Sequence, residues 1–264
     1  MRLAWMTDIH LNFLSPSELS RFSGALADSS ADAFVITGDI AEAHNVERLL
    51  GVLAQGVERP VYFVLGNHDY YRGSINEVRG RMRALSEGDP YLRWLPSSGV
   101  VALGVGAALI GHGGWGDGRI GDFGASPIDL NDYHIIRELS GLPRGLLLER
   151  LNELGDEAAL HLSELLHEAL DHAERVVLAT HVPPWRQACW HQGKLSDDDW
   201  APHFTCKAVG DVLVKIMSAH PEQQLTVLCG HTHSPGEADI LPNVRVYTGG
   251  AMYGAPKLQR VLEL

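Results

Sequence analysis

Short apolar runs alternate along the chain with longer segments of helical period. Leu3–Met6, Ala33–Thr37, Val61–Leu65, Val100–Val105, Ala107–Ile110, Arg175–Thr180, Leu225–Cys229 and Val244–Thr248 are nearly all apolar and rich in valine. Such runs read as strands buried on both faces, and Gln259–Leu262 closes the set. Helices are predicted near 17–29, 45–55, 74–86, 157–173 and 207–219. The clearest is 157–173, where Leu162, Leu165, Leu166, Ala169 and Leu170 follow the i, i+3, i+4 rule. Strand–helix–strand order at this spacing predicts an α/β fold, with helices covering one sheet or two packed sheets. No internal repeat, low-complexity tract or linker divides the chain, so residues 1–264 are read as a single domain.

Two segments break the rhythm and are read as irregular insertions, around 111–150 and 182–206. The first opens with seven glycines in the fourteen positions from Gly111 to Gly124, followed by aspartates. The second holds Trp185, Trp190 and Trp200 with His191 and His203 and shows no periodicity. Both are too long for ordinary connectors, which makes them candidate functional loops.

Charge narrows the range of partners. With 21 Lys plus Arg against 33 Asp plus Glu, the formal charge is −12, which argues against general nucleic-acid binding. No apolar run approaches a membrane span, and the opening Met1-Arg2-Leu3-Ala4-Trp5-Met6 leads into Asp8 and His10, unlike a secretory signal. A cytoplasmic chain without membrane attachment is expected. Cys189, Cys206 and Cys229 form no CxxC pair and no disulfide framework. Cys189-x-His191 and His203-x-x-Cys206 imitate a split zinc site, but the spacing matches no zinc finger, and packing is the default reading. Fourteen histidines are an excess for this length. His161, His167 and His172 fall on the helix at 157–173 and read as a solvated face.

The remaining histidines cluster with acids and glycines just after strands. Asp8 and His10 follow the first strand, Gly38-Asp39 the second and Gly66-Asn67-His68-Asp69 the third. His181 follows the strand at 175–180, and Gly230-His231-Thr232-His233 the strand at 225–229. Ligands of open α/β sheets bind at the carboxyl ends of strands, so these groups can converge on one crevice. Asp-x-His and His-x-His place two side chains on the same side if the backbone is extended. The preceding glycines permit sharp turns and close approach. Carboxylate, imidazole and amide oxygen form a mixed, fairly hard donor set suited to Mn²⁺, iron or Zn²⁺. There are too many donors for one tetrahedral site and about enough for two open ones, the arrangement used for in-line displacement at phosphorus.

DxH, GD, GNHD, a lone histidine and GHTH, in this order over residues 8 to 233, resemble the signature of the calcineurin-like metallophosphoesterase superfamily. The resemblance implies a two-sheet β-sandwich flanked by helices, with a dinuclear metal site at the strand ends. It implies that Asp8, His10 and His233 bind one metal, that Asp39 bridges, and that Asn67, His181 and His231 complete the second set. A hydroxide between the ions would be the nucleophile, with His68 beside the leaving group. Glu42 stands where phosphoprotein phosphatases of the superfamily carry a carboxylate that orients this histidine. Ala43 replaces their arginine, which weakens a protein-phosphatase reading. Asp69 reads as a supporting residue rather than a ligand.

The function expected is a metal-dependent phosphoesterase, a phosphodiesterase acting on nucleotide-like or other small phosphoesters. The alternatives are a phosphomonoesterase or protein phosphatase of the same superfamily, and a non-catalytic protein-binding scaffold. Arg72 and Tyr71 are candidates for contacting phosphate or a base. Trp115, Arg119 and Trp190 are candidates for a wall or lid drawn from the two insertions. The sequence leaves the oligomeric state open.

Overall fold

The computed structural model describes residues 1–264. In chain order the strands are β1 Arg2–Met6, β2 Ala33–Thr37, β3 Val61–Val64, β4 Leu92–Trp94, β5 Val101–Ala102, β6 Ala107–Gly111, β7 Arg175–Ala179, β8 Trp190–His191, β9 Lys194–Leu195, β10 Gln224–Cys229, β11 Gly236–Leu241, β12 Val244–Thr248 and β13 Arg260–Glu263. The helices are α1 Pro16–Ala27, α2 Val46–Val57, α3 Ile75–Gly88, α4 Leu95–Ser98, α5 Asp132–Ile135, α6 Arg144–Leu170, α7 Ala201–Phe204 and α8 Lys207–Ser218. One sheet runs β13-β1-β2-β3-β4, the other β11-β12-β10-β7-β6-β5, and β8 with β9 forms a separate ribbon. Within each sheet the central strands are parallel, and β13, β11 and β5 pair antiparallel at the edges.

Strand alternation builds the layers. Leu3, Trp5, Val35 and Val64 of the first sheet share one buried cluster with Leu109, Val177 and Leu228 of the second, so the sheets pack face to face. The alternate residues Ala4, Met6, Phe34, Ile36 and Phe63 turn toward α1, α2 and α3, meeting Leu26, Leu50, Leu53 and Val78. On the other side Ile110, Val176, Leu178 and Val227 meet Leu162 and Leu166 of α6 and Val209 and Leu213 of α8. Burial on both faces explains why the strands read as continuous apolar runs, each large side chain contributing about 1.5–3 kcal/mol. No helix is long and apolar enough to cross a membrane.

Three expectations are corrected. The helix expected at 157–173 begins at Arg144, so the last part of the segment read as irregular up to 150 belongs to α6. Gly155 hid the continuity, yet a glycine is needed there because a Cβ would lie 2.7 Å from Cβ of Asp117. The strand expected at 100–105 shrinks to Val101–Ala102: Gly104 and Gly106 take positive φ in the turn to β6, and Val105 is 99% exposed. His161 is half-buried, its ring 5.5 Å from that of His112, rather than on a solvated face.

The two insertions pack on each other. The Asp117 and Gly118 N–H groups donate to the Thr205 and Pro202 carbonyls, both at 2.9 Å. Buried His203 joins them, with Nδ1 2.6 Å from the Tyr133 hydroxyl and Nε2 3.0 Å from Ser126 Oγ. Cys189 donates to Ser196, and all three cysteines are buried, with burial pushing their thiols up to about 12. The ring nitrogens of His203 are taken by Tyr133 and Ser126, so no zinc cluster forms with Cys206.

Candidate metal centre

The carboxyl ends of β1, β2, β3, β7 and β10 open onto one crevice, and the residues just beyond them fill it. Eight non-glycine residues have positive φ, and five are Asp8, His10, Asp39, His231 and His233, at φ of 49°, 39°, 51°, 72° and 56°. The extended backbone expected for Asp-x-His and His-x-His is therefore absent. Left-handed turns aim these side chains inward, at a local cost that the surrounding strands hold in place. Gly38 has φ +86° and packs so closely that a Cβ would lie 2.6 Å from Nδ1 of His181. Gly66 and Gly230 serve close approach instead: a Cβ would collide with the carboxylates of Asp39 and Asp8 respectively.

Two donor groups result. In the first, one ligand atom each from Asp8, His10, Asp39 and His233 lies within 4.8 Å of every other. His10 Nε2 and His233 Nε2 are 3.2 Å apart, and His233 Nε2 is 3.4 Å from Asp8 Oδ1. In the second, Asn67 Oδ1 is 3.1 Å from His181 Nε2 and 3.0 Å from His231 Nδ1. Asp39 faces both, with Oδ2 3.9 Å from His10 Nε2 and Oδ1 3.4 Å from His181 Nε2.

The second group's protons are fixed from outside. His181 Nδ1 lies 2.8 Å from the Thr37 carbonyl, which only accepts, so Nδ1 carries the hydrogen and Nε2 presents a lone pair. The His203 carbonyl, 3.3 Å from His231 Nε2, leaves the His231 Nδ1 lone pair facing inward. The Asn67 amide nitrogen donates to Asp132 Oδ1 at 2.9 Å, which turns Oδ1 toward the two histidines. Three electron-pair donors thus face one another with no proton between them, as a cation requires and a hydrogen-bonded core does not.

Electrostatics agree. Burial drives Asp39 well above the carboxylate range, helped by Asp8 and Asp69. Asp8 is also pushed up by burial, yet the His233 hydrogen bond and nearby histidine charge hold it below the usual value. Burial lowers His10 to about 3 and His68 to about 4, and takes His231 well below its ordinary value. Asp69 is no ligand: its carboxylate accepts the N–H groups of Ile40, Ala41 and Gly66 at 2.8–2.9 Å and ties the two loops together.

The sequence model of the calcineurin-like phosphoesterases matches residues 1–235. The chain belongs to this family. It is a metal-dependent phosphoester hydrolase, and the family together with the buried Asp/His cluster indicates a dinuclear metal site. Its fold resembles three solved structures. Phosphopantetheinyl hydrolase from Mycobacterium tuberculosis is 15% identical, with TM-score 0.65, covering 96% of this chain and 89% of that one. A dimetal phosphatase from Danio rerio is 13% identical, with TM-score 0.58 and coverages of 95% and 87%. TT1561 of Thermus thermophilus is 16% identical, with TM-score 0.57 and coverages of 94% and 88%. A search of curated proteins gives no match.

Around the metal centre of this phosphoesterase, several expected contacts are absent. Glu42 does not reach His68; its carboxylate is taken by the Arg72 guanidinium and lies 3.7 Å from His44. Arg72, at φ +61°, pairs with Glu42 and does not line the cavity. Trp115 is 5% exposed and packs in the core with its ring 5.7 Å from Tyr70, so it is no lid. Arg119 pairs with Asp117 at 3.2 Å and Asp156 at 2.8 Å, fastening the first insertion to α6. Trp190 packs against Gly236, and strand alternation gives the cavity wall to His191 instead. Tyr71 does reach the site: its ring stacks on His68 at 4.2 Å and its hydroxyl donates to Asp132 at 2.7 Å. Among the residues the motifs missed are Asp132 at the start of α5, Phe204 at the end of α7 and Tyr253 in the loop after β12, all lining the cavity from segments that carry no motif.

Proposed function

We propose that this phosphoesterase hydrolyses small phosphodiesters of nucleotide-like alcohols. The observation that carries the reading is the cavity of about 240 Å³ beside the metal centre, whose lining contains no lysine or arginine. A monoester dianion brings a second charge that no side-chain cation there would meet, whereas a diester carries one. The cavity is small, which disfavours a folded protein as substrate, and every motif position keeps its donor, which disfavours a non-catalytic scaffold.

In this reading Asp8, His10 and His233 would hold one cation and Asn67, His181 and His231 the other, with Asp39 available to both groups. The oxygen and nitrogen donors suit Mn²⁺ or iron. Bound there, two such ions supply phosphoryl charge neutralisation and an acidified water. His68, held against Tyr71 with Nε2 3.9 Å from Asp39 Oδ2 and lowered to about 4 by burial, donates a hydrogen bond to the departing oxygen as a neutral imidazole. Tyr253, its phenol pushed up to about 12 by desolvation and by Asp39 and Asp8, stays a neutral donor at the cavity rim. The test compares kcat/KM for bis(p-nitrophenyl) phosphate and p-nitrophenyl phosphate with added Mn²⁺ and after chelation. A diester preference that chelation abolishes is expected; a monoester preference overturns the reading.

A further inference from the structure

Three large apolar side chains stand exposed beside a site built of buried polar groups. Phe13 is 53% exposed, Met252 71% and Tyr253 47%. None belongs to a core cluster, so the fold gives no account of them. They come from the turn after β1 and the loop after β12, and Phe13 and Tyr253 meet to form one surface. The Phe13 and Tyr253 rings are 4.8 Å apart and inclined at 44°. Tyr253 lies 4.5 Å from the His10 ring, 5.1 Å from His233 and 6.3 Å from His68, and it lines the cavity. The surface therefore starts at His10 and His233 of the first donor group, with the His68 ring next, and runs outward. Across the cavity the aromatic wall is already closed: Phe204 is buried, stacked on Trp200 at 5.0 Å and 4.9 Å from the His231 ring. Of the tyrosine and phenylalanine rings that line the cavity, Tyr71 and Phe204 are buried and Tyr253 is exposed.

We infer that Phe13 and Tyr253 form a subsite for a flat aromatic group on the leaving alcohol of the substrate, a phenyl-like ring or a nucleobase. The inference rests on the phosphodiester reading for its chemistry and deepens it by naming the arm that binds. His68 is the residue assigned above to the departing oxygen, and Tyr253, 6.3 Å from its ring, is the exposed aromatic surface within reach of a group on that oxygen. Exposed apolar area continuous with a polar reacting centre is how small-molecule sites bind the non-reacting part of a substrate. An aromatic ring gains a face or edge contact there that an aliphatic group of equal size lacks, about tenfold in affinity.

Two non-hydrolysable probes differ only in that property, benzylphosphonate and cyclohexylmethylphosphonate. Titrated calorimetrically into Mn²⁺-loaded protein, the benzyl compound is expected to bind about tenfold more tightly. Phe13→Leu and Tyr253→Leu should each reduce that preference without changing metal content, and Tyr253→Phe should keep it. Equal binding by the wild type, or a preference that survives both leucine variants, overturns the inference. In a second arm, kcat/KM is measured for benzyl methyl phosphate, cyclohexylmethyl methyl phosphate and thymidine 5′-(methyl phosphate). Faster cleavage of the aromatic diesters, lost in the leucine variants through KM, supports the assignment to the leaving arm. The better of benzyl and thymidine identifies the ring. Failure to cleave any of the three sinks the phosphodiester reading, while the phosphonate titration still decides the subsite.

Discussion

Replacing Asp132 by alanine should weaken one metal site and leave the other intact. Asp132 belongs to the first insertion, not to a strand end, and is buried. Its Oδ1 accepts the Asn67 amide nitrogen at 2.9 Å and the Tyr71 hydroxyl at 2.7 Å. Without it the Asn67 amide nitrogen keeps only a long 3.4 Å bond to the Tyr71 hydroxyl, a loss of about 1–3 kcal/mol. The amide can recover by flipping, since its two ends have nearly the same shape. The flipped nitrogen would donate to the lone pairs of His181 and His231, 3.1 and 3.0 Å away, and so occupy the space a cation needs. Removing such an outer partner costs about 10–100-fold in metal affinity. Calorimetric titration of Mn²⁺ into chelator-treated protein, with metal analysis, should show that loss for one ion only, because Asp8, His10, Asp39 and His233 do not depend on Asp132. Tyr71→Phe is the control: it removes the hydroxyl and its long 3.4 Å bond from Asn67 but leaves the 2.9 Å Asn67–Asp132 bond, and should bind two ions as the wild type does. Wild-type affinity for both ions in Asp132→Ala, or equal weakening of both, would refute the reasoning.

His68→Ala should keep its metals yet lose about 10²–10⁴-fold in turnover, with a smaller loss for p-nitrophenolate, whose charge needs little help as it leaves; equal losses on good and poor leaving groups count against a donor role at the leaving oxygen. Trp115→Ala should cost about 3–5 kcal/mol in a denaturant melt, because it empties a core position, without reordering substrate preference. His203 is held at about 4 by burial and by Arg144, below an unfolded value of about 6.5, so the unfolded chain binds the extra proton between these pH values. Its contribution is complete above pH 6.5 and is lost as pH falls toward 4, at most about 3 kcal/mol. His203→Gln should flatten that part of the melting temperature–pH curve, and an unchanged slope counts against it.

The strands were legible because burial on both faces leaves nearly uninterrupted apolar runs, as Ala33–Thr37 and Arg175–Ala179 show, whereas their division into two sheets was implied only by the resemblance of the motifs. Short or polar edge strands were not: Leu92–Trp94 has three residues, and Gly236–Leu241 pairs only with β12. The donor groups were legible because each follows directly on a strand. What they look like was not, since left-handed φ at Asp8 or His233 depends on packing that no local pattern records. The aromatic candidates failed for a related reason. Tryptophan in a glycine-rich segment looks mobile, but those glycines admit close packing, as where a Cβ on Gly116 would collide with the His203 backbone, and Trp115 ends in the core. Phe13 and Tyr253 carry no signal except proximity in sequence to His10 and to the end of β12.

The two insertions do more than cover the site. The sheets bring Asn67, His181 and His231 together, but the groups that orient two of them come from the inserted chain: the Asp132 carboxylate for Asn67 and the His203 carbonyl for His231. His181 is oriented from within the sandwich, by the Thr37 carbonyl at the end of β2. The first donor group has no recorded partner in either insertion; Asp8 is held by Thr7 and by the His231 N–H. Stability of the paired insertions, fastened by His203 between Tyr133 and Ser126, is therefore coupled to one metal site and not the other. A perturbation that loosens the insertions should remove one ion before it unfolds the sheets, so metal loss and the main melting transition should separate on heating.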